Sequence, residues 1–309
     1  MLTRVAEVNG TAQLVSLWLH DKAAKTQSRY SSEIRRFAAF VTQIPYEQVT
    51  LNELDLPSIT LNDLQDYEDY LVHRQLSDYT RNTRLATVKS LLSFGHEIGY
   101  LSFNAGKRVK LHQVRNRLNE RILSEHEVSQ MLSMTPPGRD LLLLKFLYLT
   151  GARVGEVGVE GITLDGVRYE TEGLRWRDLR VSTDGNGLVT FYGKRRKTRT
   201  VAFPRELYLQ LEGIRTNKEP SQAVFPSRQG GAKPLSARRM RQIVKSAAQR
   251  AGIEKNVSCH WLRHAHGTHA LSKGAPLQLI KESLGHESLE TTSKYLHVRP
   301  EDGSGLYLS

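Results

Sequence analysis

The chain has a single cysteine, Cys259, among 309 residues, which rules out an intrachain disulfide and any CxxC metal-binding pair. It also lacks a long apolar run. The longest, Leu141 to Leu144 resuming after Lys145 as Phe146 to Leu149, falls well short of the roughly 20 residues that cross a bilayer. The opening MLTRVAEVNGTAQ has no apolar stretch followed by small residues, so no secretory signal is expected and a cytoplasmic location fits best. Negative charge is in deficit as well. The 32 Asp and Glu against 44 Lys and Arg leave a formal charge of +12 and a pI near 9.8, which favours a polyanionic partner; a basic enzyme that never touches nucleic acid is the alternative. Apolar residues at 39% and charged ones at 25% exclude wholesale disorder, and the length suffices for two domains with separate cores.

Residues 1–106 read as helical, because apolar positions recur at helical spacing. Leu14, Leu17 and Trp18 begin one stripe. Ile34, Phe37, Ala38 and Val41 give a second, Leu64, Tyr67 and Leu71 a third, and Leu85, Val88 and Leu92 a fourth, enough for a small DNA-binding bundle. On the last of these, Arg81, Arg84 and Lys89 lie off the apolar stripe and are candidates to meet phosphates; a solvated face is the alternative. Residues 107–121, KRVKLHQVRNRLNER, carry Lys107, Arg108, Lys110, Arg115 and Arg117 without a convincing period, and read as a basic interdomain linker able to lie along a duplex.

A second domain, 122–309, opens where Ser124 and Glu127 have capping-box spacing. Asp140 to Leu149 is apolar enough for a buried helix. GLVTFYGKRRKTRTVAFP alternates in the manner of strands about a basic centre, which predicts a hairpin with Lys194 to Lys197 at its tip. Ser236 to Ala251 reads as a helix with Met240, Ile243, Val244 and Ala247 inward, and Arg238, Arg239 and Arg241 outward toward DNA.

The segment CHWLRH, residues 259–264, places His260 and Arg263 three apart, on one helical face, where both can address one anion. A zinc reading would use His260 and His264, but the helical metalloprotease pattern needs Glu after the first histidine and Trp261 stands there; no carboxylate occurs between residues 255 and 280. Elsewhere TGARVGEV holds Arg153, and LGHESLETTSKYLHV places Tyr295 nine residues after His286.

In chain order these groups are Arg153, Lys194, His260, Arg263, His286 and Tyr295. This set resembles the signature of the tyrosine recombinases, the family of the phage integrases and Xer-type recombinases: Arg, Lys, His-x-x-Arg, His or Trp, then Tyr. The resemblance is close in the second domain, and in outline in the first. It implies a mainly α fold with a small antiparallel sheet, a helical core-binding domain and a mixed catalytic domain, working as a homotetramer on paired double-stranded DNA sites with no metal or other cofactor. It also implies a reaction in which Tyr295 attacks a phosphodiester to give a 3'-phosphotyrosyl link and a free 5'-hydroxyl. Arg153 and Arg263 would clamp the phosphate, since a five-coordinate phosphorus gathers charge on its non-bridging oxygens and a guanidinium offers a permanently charged fork. Lys194 resembles the general acid at the leaving oxygen, with Lys197 as an alternative; His260 would assist at the nucleophile, His286 would donate to an oxygen, and Glu156 resembles the acid that buttresses the site.

The chain departs from the family where GVEGITLDGVRYETE intervenes between Val157 and the LRWRDL element, an insertion around 158–172 that predicts an extra hairpin or loop. The hairpin tip reads GKRRK where many relatives have GKGNK, and only fourteen residues follow Tyr295. Three rival readings remain at this stage: a type IB topoisomerase using a similar constellation, a silent DNA-binding regulator of the same fold, and a metal-dependent nuclease, against which the shortage of clustered carboxylates counts.

Overall fold

The computed structural model describes residues 8–113, 121–164, 166–192, 198–227, 233–286, 288 and 292. The chain divides into two compact units, Met1–Arg115 with Ile162–Tyr169, and Asn116–Gly161 with Glu170–Ser309.

The first unit is built on four helices: α1 (Thr11–Leu19), α2 (Ala24–Thr42), α3 (Leu61–His73) and α4 (Asp78–Glu97). Side chains cap the starts of two of them. Thr60 and Asp63 form a reciprocal capping box ahead of α3, and the Ser77 hydroxyl accepts from the Thr80 N–H ahead of α4. Leu14, Trp18, Ile34, Phe37, Leu64, Tyr67, Leu71, Leu85, Val88 and Leu92 are buried together, in agreement with the four stripes. Leu17 is the exception: it is 45% exposed, off the face of α1 that buries Thr11, Leu14, Val15 and Trp18.

The first half of the expected linker is also different. Residues Ala105–Arg108 form a 3-10 turn, and Ala105 and Val109 enter the core. Asn82 donates to the His112 carbonyl at 2.7 Å and accepts from the His112 N–H at 2.9 Å. Val109 and His112 are thus anchored to the helical unit, while the Lys107, Arg108 and Lys110 side chains remain exposed; Arg115 and Arg117 lie outside the described residues.

The three cations on α4 each have a partner within the protein. Arg84 is ion-paired with Glu33 at 3.3 Å with its side chain 18% exposed, Arg81 donates to Asp78, and the Lys89 ammonium donates to the Val109 carbonyl. The satisfaction is partial: Arg81 Nε and Arg84 Nε are buried with no hydrogen-bond partner among the described residues.

In the second unit, α5 (Glu125–Ser133) begins at the Ser124–Glu127 capping box, and α6 (Arg139–Thr150) is followed by the single turn α7 (Val154–Val157). The insertion forms the two-stranded hairpin β1 (Gly161–Leu164) and β2 (Val167–Glu170), of which Ile162–Tyr169 group with the first unit, with Val167 and Tyr169 exposed. A three-stranded antiparallel sheet follows, in the order β3 (Leu179–Val181), β4 (Gly187–Tyr192), β5 (Thr198–Phe203). Val189, Phe191, Val201 and Phe203 face the core, and the opposite face pairs Thr190 with Thr200 at 3.1 Å. Then come α8 (Arg205–Glu212), α9 (Ala237–Arg250), α10 (Cys259–Ser272) and α11 (Leu277–Leu284). Phe146 of α6 sits edge-on to Phe191, Phe203 and Phe225 at 5.5–6.3 Å, which ties the buried helix to the sheet. The result is the mainly α fold with a small antiparallel sheet, in two domains, that the sequence implies.

Candidate active site

The site forms around the C-terminal end of α11. The last carbonyls of a helix have no partner within it, and they carry the negative end of its dipole. Three arginines from different elements converge there. Arg263, from α10, donates to the Leu284 carbonyl; Arg153, just ahead of α7, donates to the Gly285 carbonyl at 3.1 Å; Arg199, from β5, donates through Nε to the Ser283 carbonyl at 2.8 Å. Arg263 is 4% exposed and gives a second bond, at 2.6 Å, to the carbonyl of Gly151.

Two glycines make this approach possible. Gly151 ends α6 at φ +60°, and a Cβ there would stand 2.6 Å from Leu284 Cδ2 and 2.9 Å from His266 Cδ2. Gly285 ends α11 at φ +63°, where a Cβ would meet Arg199 Cδ at 3.0 Å. Both positions combine a left-handed backbone with a close neighbour, which no side-chain-bearing residue accommodates without strain.

Glu156 is the one carboxylate hydrogen-bonded to these arginines among the described residues. Arg199 grips it in bidentate fashion at 2.6 and 2.7 Å, and Arg153 adds a bond of 3.0 Å from its side chain and one of 2.7 Å from its backbone N–H. Burial alone would push the Glu156 carboxyl up, but the hydrogen bonds and charge of Arg199, joined by Arg153, hold it below the usual carboxylate range.

The histidines surrounding the arginines are held neutral at pH 7. Burial, followed by the charges of Arg263 and Arg153, pushes His286 down to about 4, and its Nδ1 lies 2.9 Å from the Thr292 hydroxyl. Crowding by the protein, then Arg263, Arg153 and Arg241, also lowers His260, at the solvent-facing first turn of α10. His264, one turn on, is pushed to about 4 by burial and then by His260 and Arg263. His266 falls to about 4, mainly through burial, and donates from Nδ1 to the Tyr148 carbonyl at 2.8 Å, so its role is to join α10 to α6.

Of the residues singled out in the sequence, Arg153, Glu156, His260, Arg263 and His286 therefore gather in one place. Lys194 and Tyr295 lie outside the described residues. On α9, Arg238 and Arg239 are exposed, whereas Arg241 is ion-paired with Glu160. Sequence reasoning missed Arg199, whose only signal was its place in the strand-like alternation after the hairpin tip.

Residues 121–302 match the Phage integrase family, more than half of the chain, and the chain belongs to that family. It is 28% identical over 301 residues to the tyrosine recombinase XerD of Bifidobacterium longum (strain NCC 2705), spanning 93% of this chain and 91% of the relative. It is 30% identical over 279 residues to XerC of Corynebacterium efficiens, spanning 87% and 79%. Its fold is similar to that of a lambda integrase dimer bound to a COC' core site, with a TM-score of 0.69 at 16% identity over 94% of this chain and 95% of that one. The chain is a tyrosine recombinase, an enzyme that cuts and rejoins DNA strands in site-specific recombination. Among the described residues, no helix is long and apolar enough to cross a membrane.

Proposed function

We propose that the α11 end is where a scissile phosphate of double-stranded DNA is bound and attacked by Tyr295, giving a 3'-phosphotyrosyl intermediate without a metal or other cofactor. The observation that carries this reading is the meeting of Arg153 and Arg263, from elements 110 residues apart in sequence, on consecutive carbonyls of one helix end. Anchored there, the guanidinium groups are preorganised to stabilise the charge that grows on the phosphate oxygens as phosphorus becomes five-coordinate.

A histidine with a lowered pKa is a competent proton acceptor at neutral pH, which suits His260 to the Tyr295 side. With the Thr292 hydroxyl donating to Nδ1, His286 keeps its proton on Nε2 and donates it to a phosphate oxygen. Lys194, or Lys197 in its place, protonates the leaving 5'-oxygen. The exposed Lys107, Arg108, Lys110, Arg238 and Arg239, with Arg115 and Arg117, bind the flanking backbone, and Arg241 joins them when Glu160 releases it. Residues 1–106 supply the core-binding domain and 122–309 the catalytic one, assembling as a homotetramer on two duplexes in the cytoplasm.

A nicked suicide substrate tests the assignment. The wild-type chain accumulates a covalent DNA adduct that persists in EDTA and disappears in Tyr295→Phe. An adduct that survives undiminished in Tyr295→Phe refutes the choice of nucleophile.

A further inference from the structure

We propose that Arg199 is a positioning residue for strand cleavage, clamping Glu156 and the last turn of α11 into a single frame that sets Arg153 and His286 against the phosphate. The proposal rests on the reading of the α11 end as the cleavage site.

Arg199 uses all three of its guanidinium nitrogens. Nη1 and Nη2 each donate to one oxygen of Glu156, at 2.6 and 2.7 Å, and Nε donates to the Ser283 carbonyl at 2.8 Å. Its side chain is 12% exposed and that of Glu156 is 9% exposed, so water screens the pair poorly. The guanidinium carbon lies 4.6 Å from the centroid of the Phe191 ring, which fixes its plane, and Gly285 leaves room for its stem. A lysine would present one ammonium in place of this fork and could not span both acceptors in fixed geometry.

The consequences run outward in three directions. Glu156 is the acceptor for both the side chain and the backbone N–H of Arg153, so a displaced Glu156 displaces Arg153. Ser283 lies three residues before His286, and its carbonyl bond to Arg199 fixes the turn from which His286 projects. Arg199 also belongs to β5 and stands five residues after Lys194 in sequence, so the clamp is adjacent along the chain to the candidate general acid. Without Arg199, Glu156 would keep its burial and face only Arg153, and it would hold a proton at a pH where it is now ionised.

The test is a double-mutant cycle on adduct formation, measured in single turnover at saturating nicked substrate, with Tyr295→Phe as control. Arg199→Met is expected to lower the rate about a hundredfold, the scale of an ångström-level misplacement, while duplex affinity is unchanged. Its rate climbs again as pH is raised and Glu156 ionises, a response a merely structural residue would not give. Glu156→Gln loses a similar factor, and the double variant is no slower than the slower single one, because both changes break the same clamp. The double variant also leaves no buried charge unpaired, so it carries the test if Arg199→Met unfolds. A wild-type rate in Arg199→Met or in the double variant overturns the proposal, as do losses that multiply. Absence of an adduct from the wild-type chain overturns the functional reading beneath it.

Discussion

Replacing Gly151 by alanine separates two costs that usually come together. The residue has φ +60°, and the added Cβ would lie 2.6 Å from Leu284 Cδ2. Gly252, just past α9, has a similar φ of +67° but no heavy atom within 4 Å of the same Cβ. Gly252→Ala therefore carries only the left-handed backbone term, about 1–2 kcal/mol. Gly151→Ala carries that term plus overpacking against Leu284 and His266, a further 1–3 kcal/mol, roughly. For a unit of this size each kcal/mol is worth about 2–4 °C in Tm, so Gly151→Ala should melt about 2–12 °C below Gly252→Ala in paired calorimetric scans. The Gly151 carbonyl also accepts from Arg263, so adduct formation should fall in Gly151→Ala and stay at the wild-type level in Gly252→Ala. Equal melting temperatures for the two variants, or full cleavage by Gly151→Ala, would refute the argument that this glycine is required by the close approach of α6, α10 and α11.

Two further outcomes follow from the electrostatics. His264, His266 and His286 have folded-state pKa values near 4 against 6.5 in a free chain, so between those limits the unfolded state binds more protons. Stability is complete above pH 6.5 and falls as pH drops toward 4, by up to about 1.4 kcal/mol per pH unit for each histidine; a Tm that is flat between pH 7 and 5 would contradict this. Glu160→Gln removes the carboxylate paired with Arg241 and should tighten duplex binding while steepening its salt dependence, as read by fluorescence anisotropy across a salt series. Unchanged or weaker binding would mean that Arg241 does not face DNA.

The helices were legible because their signals are local. Apolar spacing marked the faces of α2, α3 and α4, and Ser124 with Glu127 marked the start of α5 to the residue. Local signals could not say which partner a polar side chain would find. Arg84 and Lys89 occupy the polar side of α4 as expected, but whether such a cation meets phosphate or protein depends on Glu33 and on the Val109 carbonyl, which only the fold brings close. Lys107 to Lys110 had no period because one turn of 3-10 helix is too short to show one, although Val109 is buried. Arg199 was hidden for the same reason at longer range: its acceptors, Glu156 and Ser283, are 43 and 84 residues away. The motif residues were readable because their chemistry needs particular side chains in a particular order. Those that hold the motif in place are chosen by shape and carry no such order.

The charges around α11 suggest why the arrangement suits a phosphodiester. Among the described residues, three guanidinium groups gather around one carboxylate, Glu156, which Arg199 holds in a bidentate pair, while Arg153 and Arg263 are also fixed by carbonyls. A phosphodiester brings one negative charge and acquires more on its non-bridging oxygens at the transition state, so two fixed cations favour the transition state over the bound substrate. Protonated histidines would spoil that balance by adding charge the substrate could also feel. The same burial and arginine charges that form the clamp keep His260 and His286 neutral, so on the proposed reading proton transfer and charge stabilisation fall to different side chains within one site. Helix-end carbonyls hold the arginines by dipoles rather than by net charge, which fixes their geometry without cancelling the field that the phosphate is meant to meet.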